Sequence, residues 1–355
     1  MRLTESLQRH FILSFFENLR ENELKNRQKL TDTGKTVIIT AVLLLSVMAA
    51  LVFGSVQMDL TSLIGGIMKR DGFEAESVIL YSLRLPRIAA GLLAGAGLSA
   101  SGVLLQAVTG NSLASPGIIG VNSGAGFAVI MLLAFFPFAT GFMPFAAFSG
   151  AFIATMLILF LCSKISFSSS SVILSGVAVS ALLNAGISFI SYADNDILSL
   201  YSYFSVGGLS QIFPERLVIP AVIIAFCVAL TVLLAPKIDT LCLGDSIALS
   251  LGVNVKLLRF CCLVLASALA GAVVSFAGLL GFVGLVVPHI TRRIFGTAIR
   301  RLTFNCVLVG GILVVLSDLC GRMLLSPTEV PVGIVMAFIG APFLFYLLLR
   351  GKKNA

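Results

Sequence analysis

The sequence predicts an all-α polytopic membrane protein with about ten transmembrane helices. Three observations carry that reading. First, of 355 residues, 58% are hydrophobic and 11% charged, and the mean hydropathy is +1.07. Soluble domains carry about 25% charged and about 45–50% apolar residues, so a soluble fold of this composition would leave a large apolar surface in water. Second, apolar runs of spanning length recur along the chain. Third, the basic residues cluster in the short connections between those runs, the pattern that orients membrane proteins. The same figures exclude a disordered chain, a collagen and a disulfide scaffold.

A span needs about 20 residues. Such runs cover 37–56, 88–108, 114–136, 143–161, 171–191, 217–234, 258–279, 303–319 and 331–349, and a shorter one over 280–290 is broken by Pro288. Residues 1–35 are polar and of mixed charge. They read as a cytoplasmic extension rather than a cleavable signal peptide. Residues 36–350 form the transmembrane domain, and 351–355 a cytoplasmic tail.

Charge sets the orientation. With ten spans and a cytoplasmic N-terminus, 18 of the 24 Lys and Arg lie inside. The six outside are Lys69, Arg70, Arg84, Arg87, Arg216 and Arg322, and nine of the 16 acidic residues join them. The positive-inside rule therefore places both termini in the cytoplasm. A nine-span arrangement would put the basic cluster at 289–302 or the basic C-terminus outside, so the short run reads as a crossing. The net charge of +8 is a topology signal, and no nucleic-acid partner is expected. The seven Cys show no metal-ligand spacing and read as small buried hydrophobes.

Within the spans, Gly91 and Gly95 stand in GxxxG spacing, which permits close helix packing in lipid. Gly176, Ser180, Asn184 and Ser188 recur every four residues and share one helical face. Such a stripe either lines a wet path or packs on another helix. Several absences narrow the mechanism. There is no phosphate-binding G-x-x-x-x-G-K-[ST] loop and no H-E-x-x-H motif. Asp318, near the end of a span, is the only candidate for a buried carboxylate, whereas ion-coupled carriers usually use intramembrane acids or unwound coordinating helices. A chain that moves cargo without its own energy site borrows energy from a partner or acts passively.

Long motifs then carry a resemblance. They are LRLPRIAAGLLAGAGLSASGVLLQAV at 83–108, GNSLASPGIIGVNSGAG at 110–126, LCLGDSIALSLGV at 241–253, GLLGFVGLVVPHITRRIFG at 278–296, LSDLCGR at 316–322 and TEVPVGIVMAFIGAPFLFYLLLR at 328–350. In this order they closely resemble the permease subunits of ABC importers for iron–siderophore complexes, haem and vitamin B12. The resemblance covers about 37–350. It implies ten helices in two inverted five-helix halves, here about 36–191 and 217–350. It further implies a second permease copy, separate ATPase subunits that bind the ATP, and a substrate-binding protein on the outer face. No cofactor is expected in this chain. The chain departs from the family at Gly110-Asn111-Ser112-Leu113-Ala114, where the family has Arg-Asn-Pro-Leu-Ala. It also lacks the usual Trp before Gly207-Gly208-Leu209.

Four sites follow. The segment holding Leu243, Gly244, Asp245, Ala248, Leu251 and Gly252 resembles the family's ATPase-coupling helices. From the residues alone, Asp245 can cap a short helix, and Ala248 and Gly252 leave a close-approach surface. Outside, Arg84 and Arg87 lie one turn apart at a helix start around Pro86. There a cation is unfavourable with the helix dipole, so something else should favour them. The resemblance points Arg84, Arg87 and Arg322 at acids of the binding protein. Interface snorkelling and an Asp318–Arg322 pair along one face are the bland alternatives. Pro288-His289 reads as the end of a short helix. The pathway is assigned to Gly176, Ser180, Asn184 and Ser188, with Val335, Phe338 and Ile339 as weaker choices. The expected function is an inner-membrane ABC importer permease for an iron–siderophore or related chelate. A vitamin B12 or haem permease is the near alternative. A passive channel or ion-coupled carrier is the distant one.

Overall fold

The structure is a computed structural model that describes residues 32–54, 59–69, 72–117, 119–165, 168–210 and 212–351. The extension up to residue 31 and the tail beyond 351 lie outside the described residues.

Ten helices correspond to the ten apolar runs. They are α1 (Asp32–Val52), α3 (Glu74–Thr109), α4 (Val121–Phe135), α5 (Met143–Ile165), α6 (Ser169–Ala193), α8 (Pro214–Cys242), α10 (Val255–Ala277), α11 (Val283–Phe295), α12 (Ile299–Leu324) and α13 (Val332–Gly351). Seven of these are long and apolar enough to cross a membrane, and α4 and α13 carry shorter apolar stretches. Three helices lie between runs: α2 (Leu60–Ile67), α7 (Asn195–Val206) and α9 (Asp245–Ser250). Of these, α2 and α7 fall where the hydropathy pattern gave only connections. The helix α7 is set by a local signal, since Asp194 Oδ1 accepts the N–H groups of Asp196 and Ile197 at 2.9 and 3.2 Å. That satisfies two of the orphan donors of a helix start.

The core is built around α3, which packs against α8, α10, α11 and α12. Its small residues explain why. A Cβ on Gly95 would overlap the Gly310 carbonyl of α12, and one on Gly102 would overlap the Gly284 carbonyl of α11. Ser99 donates to the Cys306 carbonyl at 2.9 Å and Ser101 to the Ala266 carbonyl at 2.7 Å. Close backbone approach plus interhelical hydroxyl bonds is how helices associate where lipid removes the hydrophobic drive.

The helix contacts come in matched pairs. Exchange α1, α3, α4, α5, α6 for α8, α10, α11, α12, α13 in order. The contact of α3 with α12 then maps onto that of α10 with α5, α4–α5 onto α11–α12, and α5–α6 onto α12–α13. The two five-helix halves repeat one another's contacts, the arrangement expected of inverted repeats.

Two prolines correct the sequence reading. Pro86 does not start a helix: the helix begins at Glu74 and runs through a π-helical stretch at Ile79–Arg84. A π turn absorbs the missing N–H and ring clash of an interior proline. Pro288-His289 does not end one either, because α11 continues to Phe295. Pro288 cannot donate to the carbonyl four residues before it. Gln106 Nε2 of α3 approaches that carbonyl, of Gly284, at 3.4 Å, while Gln106 Oε1 accepts from Arg292 at 2.9 Å.

Candidate functional site

Two ends of the bundle carry the predicted sites. At one end, Arg84 and Arg87 of α3 meet Arg322 of α12. All are buried or nearly so, and each has partners within the chain. Arg87 makes a two-pronged contact with Asp318: Nε donates to Oδ2 and Nη2 to Oδ1, both at 2.9 Å. Its Nη1 reaches Glu329, just before α13, at 2.6 Å. Arg322 pairs with the same Asp318 at 3.2 Å, one helical turn away.

The unfavourable helix-start position expected for these cations is absent, and a favourable position replaces it. Arg84 donates to the Leu51 carbonyl and, at 3.0 Å, to that of Val52. Arg322 approaches the Ala50 carbonyl at 3.4 Å. These carbonyls belong to the last turn of α1, which has no helical donors of its own. Cations there are favoured by the dipole. Gly54 continues the chain above them, where a Cβ would lie 3.2 Å from Arg322 Nη1. The five side chains tie α1, α3, α12 and the approach to α13 together, with three positive charges against two negative. Glu329 was missed in the sequence. Its place in TEVPVG, seven residues after Arg322, was the available signal.

At the other end, α8 turns through Gly244 (φ +113°) into α9, and α9 turns through Gly252 (φ +78°) towards α10. Positive φ favours glycine at both turns. Asp245 does not cap α9, which has no side-chain cap. Its carboxylate instead accepts from Arg259 of α10 at 2.8 Å. Asn254 does the capping for α10, with Oδ1 accepting the Leu257 N–H at 3.1 Å. Ala248 is fully buried and so is not part of an outer surface. The exposed apolar face is made by Leu243 (64% exposed), Leu249 (60%) and Leu251 (62%), with Ile247 beside them. Gly252 has open space around its Cα. Behind the turn lies a cavity of about 810 Å³, reaching Gln106, Asp239, Arg259 and Arg292.

The stripe on α6 divides. Gly176 is buried and Ser180 half-buried, and both face the start of α4, where a Cβ on Gly120 would meet Ser180 Oγ at 3.3 Å. Asn184 and Ser188 are exposed. On α13, Val335 is buried, while Phe338 and Ile339 are exposed. So α6 and α13 both keep a face that no helix among the described residues covers.

The comparisons agree with this architecture. A family model described as the FecCD transport family matches residues 42–350. The Fe(3+)-citrate import system permease protein YfmE of Bacillus subtilis is 39% identical over 76% of this chain and 81% of its own. The achromobactin transport system permease protein CbrC of Dickeya dadantii is 34% identical over 94% of this chain and 96% of its own. A heme-iron transport system permease protein, IsdF of Staphylococcus aureus, is 34% identical over 93% and 99%. Among solved structures, an inward-facing metal-chelate type ABC transporter superposes with TM-score 0.81 at 28% identity, over 90% of this chain and 99% of that one. Built as two inverted five-helix halves and matched over nearly its whole described length, this chain belongs to the FecCD transport family.

Proposed function

We propose that this chain is the membrane subunit of an ATP-driven importer that carries iron in chelated form across the inner membrane. Two copies would enclose the path, with ATPase subunits at the α9 end and a substrate-binding protein at the arginine end. Both termini would then lie in the cytoplasm. The carrying observation is the exposed leucine face of α9 at the more basic end of the bundle. Apolar side chains there would sit in water unless a partner covered them. Permease names among the full-length relatives support an ATPase as that partner. Energy would reach this chain as the different affinities of the ATPase's states for α9. No ATP site or other cofactor is assigned to this chain.

Iron chelates are favoured because two of the three relatives are named for Fe(3+)-citrate and heme-iron. The open faces of α6 and α13, with Asn184, Ser188, Phe338 and Ile339, would meet their counterparts in the second copy and line the path. A lining without charge suits a metal already wrapped by its ligands.

The test is co-purification and reconstitution with the ATPase and binding protein. ATP hydrolysis that rises when ferric chelate-loaded binding protein is added is the expected result. Failure to recover an ATPase, or uptake without nucleotide, overturns the assignment in favour of a channel or ion-coupled carrier.

A further inference from the structure

We propose that the groove between α1, α8 and α12, at the α9 end of the bundle, binds one anionic phospholipid. The groove measures about 560 Å³ and takes in Asp32, Thr36, Val232, Arg300, Arg301 and Phe304. Its two halves differ in chemistry. The upper half is cationic. Arg301 pairs with Asp32, and Lys35 approaches the same carboxylate at 3.9 Å while donating to the Ile294 carbonyl at 3.0 Å. Arg300 is exposed, and no ion pair involves it among the described residues. Three cations against one carboxylate leave two positive charges at the mouth.

Hydrogen bonding does not call for a ligand here. Thr36 donates to Asn305 Oδ1 at 3.2 Å, and Asn305 Nδ2 donates to the Arg301 carbonyl at 2.9 Å. The start of α12 is also occupied, because Asp239 accepts the Ile299 N–H at 2.9 Å. The unmet demand is charge. The lower half is apolar. Phe304 is 57% exposed beside Val232, and the neighbouring α8 side chains Leu233 and Phe226 point out of the bundle. A free anion would satisfy the arginines and leave that apolar wall unused. A phosphodiester above two acyl chains satisfies both, which is the combination that basic pockets between membrane helices select. On the proposed orientation this groove opens to the inner leaflet.

The experiment uses the full-length chain in mixed micelles and counts bound lipid by native mass spectrometry. One phosphatidylglycerol per chain should survive delipidation that strips phosphatidylcholine. Arg300→Gln should weaken its retention about fivefold, the factor equivalent to ~1 kcal/mol per basic residue near a lipid surface. Arg301→Gln also removes a partner of Asp32 and so can fail to fold. Arg300 has no such structural partner among the described residues, and its variant keeps the test decisive. Phe304→Asn should also weaken retention of the lipid, because it removes part of the apolar wall against the acyl chains. Equal retention of the two lipids, or no loss in Arg300→Gln, overturns the proposal. Displacement of the lipid by millimolar inorganic phosphate overturns it in favour of a free-anion site. None of these readouts involves an ATPase or a chelate, so failure here leaves the transport assignment standing.

Discussion

The two ends of the bundle solve opposite problems. At the arginine end the side chains carry the charge, and the chain satisfies nearly all of it internally. Asp318 serves two guanidiniums, Glu329 serves one, and the last carbonyls of α1 take donors from Arg84 and Arg322. On and beside α9 the outward side chains are apolar, and no described residue covers them. Leu243, Leu249 and Leu251 face outward, with the Asp245–Arg259 ion pair behind them. A buried, paired charge is first a structural device. An exposed apolar side chain on a polar end is an incomplete one. The α9 end is therefore the stronger evidence for a permanent partner, although the arginines stand out more in the sequence.

The comparison breaks most severely at Asp318. Asp318→Asn removes the charge shared by Arg87 and Arg322, replaces one acceptor oxygen by a donor, and leaves two buried guanidiniums short of countercharge. Removing one partner of a buried pair costs about 3–5 kcal/mol. Thermal unfolding in detergent should show a large loss, with reduced yield of folded chain. If Asp318→Asn is as stable as the parent, the network is not structural. The arginines would then be held in reserve for an outside acid.

The crossings are legible in the sequence because span length and apolarity are local properties. The close packing of α3 is legible for the same reason, since Gly95 and its small neighbours have one main use in a membrane. The partners of the arginines are not. Asp318 and Glu329 lie more than 230 residues from Arg87 along the chain, and only the inverted fold brings them together. The α1 carbonyls that hold Arg84 and Arg322 have no side-chain signature at all. The prolines mislead for a related reason. Pro86 is carried by a π turn and Pro288 by Gln106 from another helix, and neither compensation is visible in the residues beside the proline. On α9 the pattern of leucines is legible, but not which residues face inward. Six residues are too few for a periodicity to fix that, so Ala248 and Leu249 exchange the roles a helical wheel leaves open.

A smaller effect on the chain, and a larger one on assembly, is expected at the other end. Leu251→Asp places a charge on a side chain that is already 62% exposed. Surface changes of this kind usually stay within about 0.5 kcal/mol, so the unfolding temperature should barely move. Recovery of the ATPase on the purified chain should fall about fivefold or more, as for an interface anchor worth over about 1 kcal/mol. Ala248→Ser is the control on the buried face. A Leu251→Asp chain that still holds its ATPase at full occupancy would show that the leucine face is covered by something else.

The finest test asks whether the arginine end is wholly structural. Glu329 is the most exposed member of the network, with 27% of its side chain accessible against 5% for Asp318. Glu329→Gln keeps the shape and removes the charge, so the loss in stability should be near the low end for partly exposed pairs, about 0.5–1 kcal/mol. The same change weakens the hold on the Nη1 prong of Arg87, which faces a small pocket shared with Gly54, Ser210 and Arg322. Outside acids and Glu329 would compete for that prong. If a binding protein docks here through carboxylates, Glu329→Gln should hold it more tightly, with the gain lost in high salt, as for any exposed ion pair. If docking is unchanged while stability drops, Arg87 belongs to the fold alone and the recognition of a partner rests on other residues of the outer face.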